Sequence, residues 1–79
     1  MPRFHFHVHN GVVAPDAEGL DLPDLDAAKA SAIAGTRALM SDAILAAGVL
    51  CLSHSIEITD DAGKRLHVTH FGDGVEIRP

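Results

Sequence analysis

Residues 3–9, Arg-Phe-His-Phe-His-Val-His, alternate without a break between two kinds of side chain. A period of two belongs to an extended strand, so Phe4, Phe6 and Val8 share one sheet face and His5, His7 and His9 the other. Asn10-Gly11 follows as a turn signal. The return strand, Val12-Val13-Ala14, is held short by Pro15, which brings no ladder donor. From Asp16 to Leu22 the chain reads as a polar loop with a brief extended piece at Leu20 and Leu22.

The next constraint is a long stretch without helix breakers. Pro23-Asp24 opens a helix, with Asp24 as N-cap and Asp26 suited to the positive end of the helix dipole. Ala and Leu dominate from Leu25 to Ala47, and Gly48 stands where a C-terminal glycine would stop it. Gly35 in the middle costs about 1 kcal/mol relative to alanine and implies a close-packing reason. Such a helix is roughly 34 Å long, whereas a strand of about six residues spans roughly 20 Å. The helix should therefore overhang its sheet.

A second hairpin follows the apolar linker Val49–Leu52. Residues 54–59 read as a strand with Ile56 and Ile58 inward, Asp60-Asp61-Ala62-Gly63 as a turn, and 64–69 as the returning strand. Strict alternation there places Leu66 and Val68 inward and His67 outward. Val75–Ile77 is expected to add a short edge segment. The whole is one α+β domain over residues 1–79, a small antiparallel sheet in ββαββ order with one long helix packed on one face.

Composition narrows the function classes. The formal charge is −5 and the six basic residues are scattered, whereas nucleic-acid domains carry a clustered basic patch. The six histidines make the charge pH-sensitive, moving it toward +1 if all are protonated. One cysteine, Cys51, leaves no internal disulfide and reads as a buried structural thiol. His5, His7 and His9 interrupt any signal-peptide core, and no apolar run reaches about 18 residues, so a cytoplasmic protein without membrane contact is expected. With three Phe and no Trp or Tyr, so small a core often gains from self-association.

Three segments, MPRFHFHVHNG, LPDLDAAKA and IEITDDAGKRL, occur here in an order that resembles a family of short bacterial proteins of rhizobial and sphingomonad type. That family is a domain of unknown function whose members begin Met-Pro-Arg, an aromatic run, His-Val and a turn glycine. A Leu-Pro-Asp-Leu helix start and an Ile-Glu-Val/Ile-Thr-Asp hairpin follow. The present chain departs from the pattern at His5, where an aromatic is usual, in the apolar Val49–Leu52, and in the added His67 and His70. The resemblance implies the order of elements and no activity, cofactor or catalytic residue. A second likeness, to antitoxin domains with a short sheet and a Phe-Pro-Asp-Leu segment, rests on Leu22-Pro23-Asp24-Leu25.

Two places are left to carry function. His5, His7 and His9 with a cross-strand ligand, His67 or Glu57, have the chemistry to hold Zn, Ni or Cu, although the outer two lie about 13 Å apart along the strand. On the helix, Leu25, Ala28, Ala32, Gly35, Leu39, Ala43 and Ala46 form the sheet-facing stripe. Ile33, Met40 and Ile44 fall more than about 100° away and are read as a partner surface for a second copy, the alternative being cover by loops or chain ends. The first expectation is a non-enzymatic interaction module that homodimerises through its long helix or the exposed sheet face. The second is a histidine-mediated metal-binding or pH-responsive module, and the third an antitoxin-like regulator with a partner toxin.

Overall fold

The computed structural model describes residues 1–79. In chain order the elements are β1 (Arg3–His9), β2 (Val13–Ala14), β3 (Leu20–Asp21), α1 (Leu25–Ala47), β4 (Ser55–Thr59), β5 (Arg65–His70) and a 3-10 turn, Phe71–Gly74. The sheet is antiparallel in the order β2-β1-β4-β5, and β3 also pairs with β1. The α+β architecture is the expected one, with the second strand split in two. β2 holds the C-terminal end of β1 (Val8 opposite Ala14) and β3 the N-terminal end (Phe4 opposite Leu20).

The alternation of β1 does what its period requires. Phe6 stands opposite Ile58 and Val8 opposite Ile56, on the face that α1 covers. Phe4, Ile56, Ile58, Ala28, Ala32, Met40 and Phe71 are the buried apolar core. Gly35 lies so close to the sheet that an added Cβ would meet Ile56 Cδ1 at 3.3 Å, which explains a glycine in mid-helix.

The helix ends are set locally. Asp24 accepts a hydrogen bond from the Ala27 amide at 2.8 Å. Gly48 adopts the left-handed conformation (φ 68°), and its N–H donates to the Ile44 carbonyl at 2.9 Å. The covered sector keeps Leu25, Ala28, Ala32, Gly35 and Leu39 of the expected stripe and widens past it to Thr36 and Met40. Ala28, Ala32, Thr36 and Met40 are its buried residues, because the 3-10 turn lies along α1 on that side. Arg37 Nε donates to the Gly74 carbonyl at 2.7 Å, and the Thr36 hydroxyl donates to the Ile33 carbonyl at 2.7 Å. Met40 is thus core, not partner surface; Ile33 is half-buried, and of the expected stripe only Ile44 is exposed.

A second correction concerns β5. Its register slips at Ile58/Thr59: Thr59 faces Arg65 and Ile58 faces His67, leaving Leu66 as the extra residue. Leu66 packs against the core as expected. Beyond the bulge the alternation is inverted, so His67 and Thr69 share the helix-side face with Ile58 and Ile56, while Val68 stands opposite Glu57. Val75–Ile77 forms no strand.

No residue of α1 beyond Met40 is buried. The last turns of the helix and the segment returning through 49–54 enclose a hollow of about 220 Å³, where eight of nine lining residues are hydrophobic. Cys51 lines it and is exposed, not the buried thiol expected. No helix is long and apolar enough to cross a membrane.

Candidate functional site

The face of the sheet away from α1 carries His5, His7 and His9 from β1 and Ser55, Glu57 and Thr59 from β4. It is not an open polar surface. Thr59 is only 4% exposed, and the three histidines are half-buried. Residues 15–19, between β2 and β3, run past the middle of β1, where neither short strand reaches.

Asp16 organises that passage. Its Oδ1 accepts from the Gly19 amide at 3.1 Å and the Glu18 amide at 3.3 Å, closing a tight turn in which Gly19 takes φ 73°. Its Oδ2 accepts from the Phe6 amide at 3.1 Å, standing in for the strand partner that Phe6 lacks. Burial pushes the Asp16 carboxyl up, but these amide bonds from Gly19, Phe6 and Glu18 outweigh it and hold the group below the usual carboxylate range.

The backbone of Asp16 then addresses two histidines in opposite senses. Its carbonyl accepts from His5 Nδ1 at 2.9 Å, and its amide donates to His7 Nδ1 at 3.0 Å. His7 Nδ1 therefore carries no proton, and its Nε2 donates to the Thr59 hydroxyl at 2.9 Å. His5 Nε2 meets Asp61 Oδ1 at 2.7 Å. The Asp61 carboxylate, and after it the Asp16 carbonyl, raise the His5 pKa above the ordinary imidazole value. The two rings lie parallel with centroids 6.2 Å apart.

Ion pairs finish the edges. Arg3 Nε donates to Asp21 at 3.1 Å and holds that carboxyl low. Glu57 takes Arg65 Nε at 2.8 Å and His9 Nε2 at 3.3 Å, and the arginine contact leads in lowering its pKa.

Of the four histidines expected to hold a metal, His67 lies on the opposite face, since it pairs with Ile58. Both ring nitrogens of His5 and of His7 are engaged by protein groups. No three His, Cys, Asp or Glu side chains converge on one point. The residue that sequence reasoning passed over is Asp16, read there as part of a solvated loop; the signal was its spacing of three from Gly19.

A second feature lies on α1. Ala30, Ala34, Ala38, Ser41 and Leu45 are all exposed, Leu45 at 84%. At about 100° per residue they fall within one sector roughly 80° wide on the side away from the core. The charged residues of the helix, Asp26, Lys29, Arg37 and Asp42, all fall outside it.

No curated protein and no solved structure matches this chain. One family model does match, over residues 3–72, from the first residue of β1 into the 3-10 turn that covers Met40. With nearly its whole length matched, the chain belongs to the DUF6894 family, a domain of unknown function.

Proposed function

We propose that this domain is a non-enzymatic interaction module whose partner is a second copy of itself, docked through the outward face of α1. The observation that carries this reading is the uncharged sector Ala30-Ala34-Ala38-Ser41-Leu45. A water-facing helix surface is ordinarily its charged surface, and here the charges flank the sector instead of filling it. Small side chains let two helix axes approach closely, so a longer contact can form without large knobs. Ile44, 52% exposed, and Val49, 58% exposed, extend the apolar surface toward the hollow at the helix end.

The size of the contact sets its strength. A sector running from Ala30 to Leu45, roughly 24 Å long and about 10 Å across, offers on the order of 250 Å² per copy, the size of a weak, transient contact. Area alone does not fix affinity, and a weak, reversible dimer is what a contact of this size supports. The non-enzymatic reading is supported by the histidine face, where the ring nitrogens of His5 and His7 are already occupied by the protein itself.

Light scattering and native mass spectrometry of the full chain test this. A dimer is expected at about 100 μM protein. Ala34→Glu and Ala38→Glu should each give a monomer with unchanged circular dichroism, since glutamate is a good helix former at an exposed site. A monomeric wild type at that concentration, or dimers unaffected by both substitutions, overturns the reading.

A further inference from the structure

His5 and His7 sit two residues apart on one strand, and a single residue, Asp16, presents an acceptor to one ring and a donor to the other. The partners of His5 are both pure acceptors, the Asp16 carbonyl and the Asp61 carboxylate. A neutral imidazole has one N–H and satisfies only one of them; the imidazolium satisfies both. His7 meets a donor at Nδ1, the Asp16 amide, and therefore needs that nitrogen bare. We propose that His5 is a proton-operated latch: doubly protonated, it ties residues 15–19 to the 60–63 turn across the sheet, and on losing a proton it lets one of the two go.

The latch spans two segments that no strand pairing joins. Residues 15–19 lie outside β1, while the 60–63 turn joins β4 to β5 on its other side. His5 crosses that gap with a side chain only 13% exposed, while its partner Asp61 is 70% exposed, so it is the Asp16 end of the latch that water does not readily reach. The charged and titratable groups around it are few. They are Asp61 from the turn, Asp16 from the loop, and on β1 itself Arg3, held by Asp21, and His7. From β4 its direct neighbour is the uncharged Thr59, and beyond that Arg65 of β5 is engaged by Glu57. The Asp61 carboxylate and, after it, the Asp16 carbonyl dominate, so the charged form of His5 is the favoured one. What the latch protects is the middle of β1, because the Asp16 carboxylate caps the Phe6 amide that β2 and β3 leave unpaired.

Proton NMR of the full chain in a chelator-treated buffer tests this, following the His5 ring protons and the Phe6 and Gly19 amides against pH. Amide protection, corrected for intrinsic exchange, should fall several-fold as pH rises through the His5 transition. Asp61→Asn, at an exposed turn position, should move that transition to lower pH, and His5→Gln should abolish the pH dependence of protection while the fold persists. Protection that stays level through the His5 transition overturns the latch, as does an unmoved transition in Asp61→Asn or an undiminished pH dependence in His5→Gln.

Discussion

The two faces of this sheet are closed by different forces. On the helix side Ile56, Ile58, Phe4, Ala28 and Ala32 form an apolar core beside the buried threonines Thr36 and Thr69, and Gly35 allows α1 to lie directly on Ile56. On the histidine side Thr59 is just as inaccessible as Phe4, at 4%, yet what covers it is imidazole, hydroxyl and backbone amide. Contact there is made through directed bonds from Asp16, His5 and His7. The first face is held by volume and the removal of apolar area from water, which are indifferent to pH. The second is held by matching donors to acceptors, which a change of protonation undoes. A small sheet can thus bury both faces while only one of them has a hydrophobic core.

The strongest way to break the first face is to remove volume. Ile58→Ala, at a fully buried site opposite Phe6, should cost about 2–5 kcal/mol in urea unfolding. Its loss should be the same at every pH, and a pH-dependent loss would show that the two faces are not separable. An intermediate effect is expected where the second face is anchored. Gly19 holds φ 73°, and an added Cβ would meet Arg3 Cγ at 2.8 Å and the Phe4 carbonyl at 2.9 Å. Gly19→Ala should therefore destabilise by about 1–3 kcal/mol, with amide shift changes confined to residues near Asp16 and His5. Changes spread evenly through the core would contradict that localisation.

The smallest effect is the most diagnostic. Asp16, Asp21 and Glu57 have lowered pKa values, so the stability they add is present above the ordinary carboxylate range and lost as pH falls through their folded values. His5 is raised, so its contribution is complete below the ordinary imidazole value and is lost as pH rises through its folded one. Thermal unfolding should show a maximum between these limbs, in mildly acidic solution. His5→Gln should flatten only the upper limb, while Ile58→Ala should lower the whole curve without reshaping it. An upper limb that survives His5→Gln would place its origin elsewhere.

Much of this architecture is legible in local chemistry. The alternation of Arg3–His9, the cap at Asp24, the stop at Gly48 and the close-packed Gly35 are each properties of a few neighbouring residues, and each is found where the pattern predicts. The helix face on the sheet keeps Leu25, Ala28, Ala32, Gly35 and Leu39 of the expected stripe, but it widens to Thr36 and Met40 because the 3-10 turn Phe71–Gly74, distant in sequence, settles there. Period-two reading of β5 fails at Leu66, since one extra residue in a strand reverses the faces of everything after it. The place of His67 on the helix side is the direct result.

What the sequence determined by itself is therefore the helix, the two hairpins and the inner faces of β1 and β4, together with the presence of three histidines on one side of β1. Periodicity and capping are short-range, and a strand or helix of this length carries them within its own residues. Only the tertiary structure decided what those histidines bond to. His5 meets two acceptors and His7 a donor because residues 15–19 fold back past β1 and the 60–63 turn reaches over from its other side, and protonation preference is set by whichever partners arrive across such gaps.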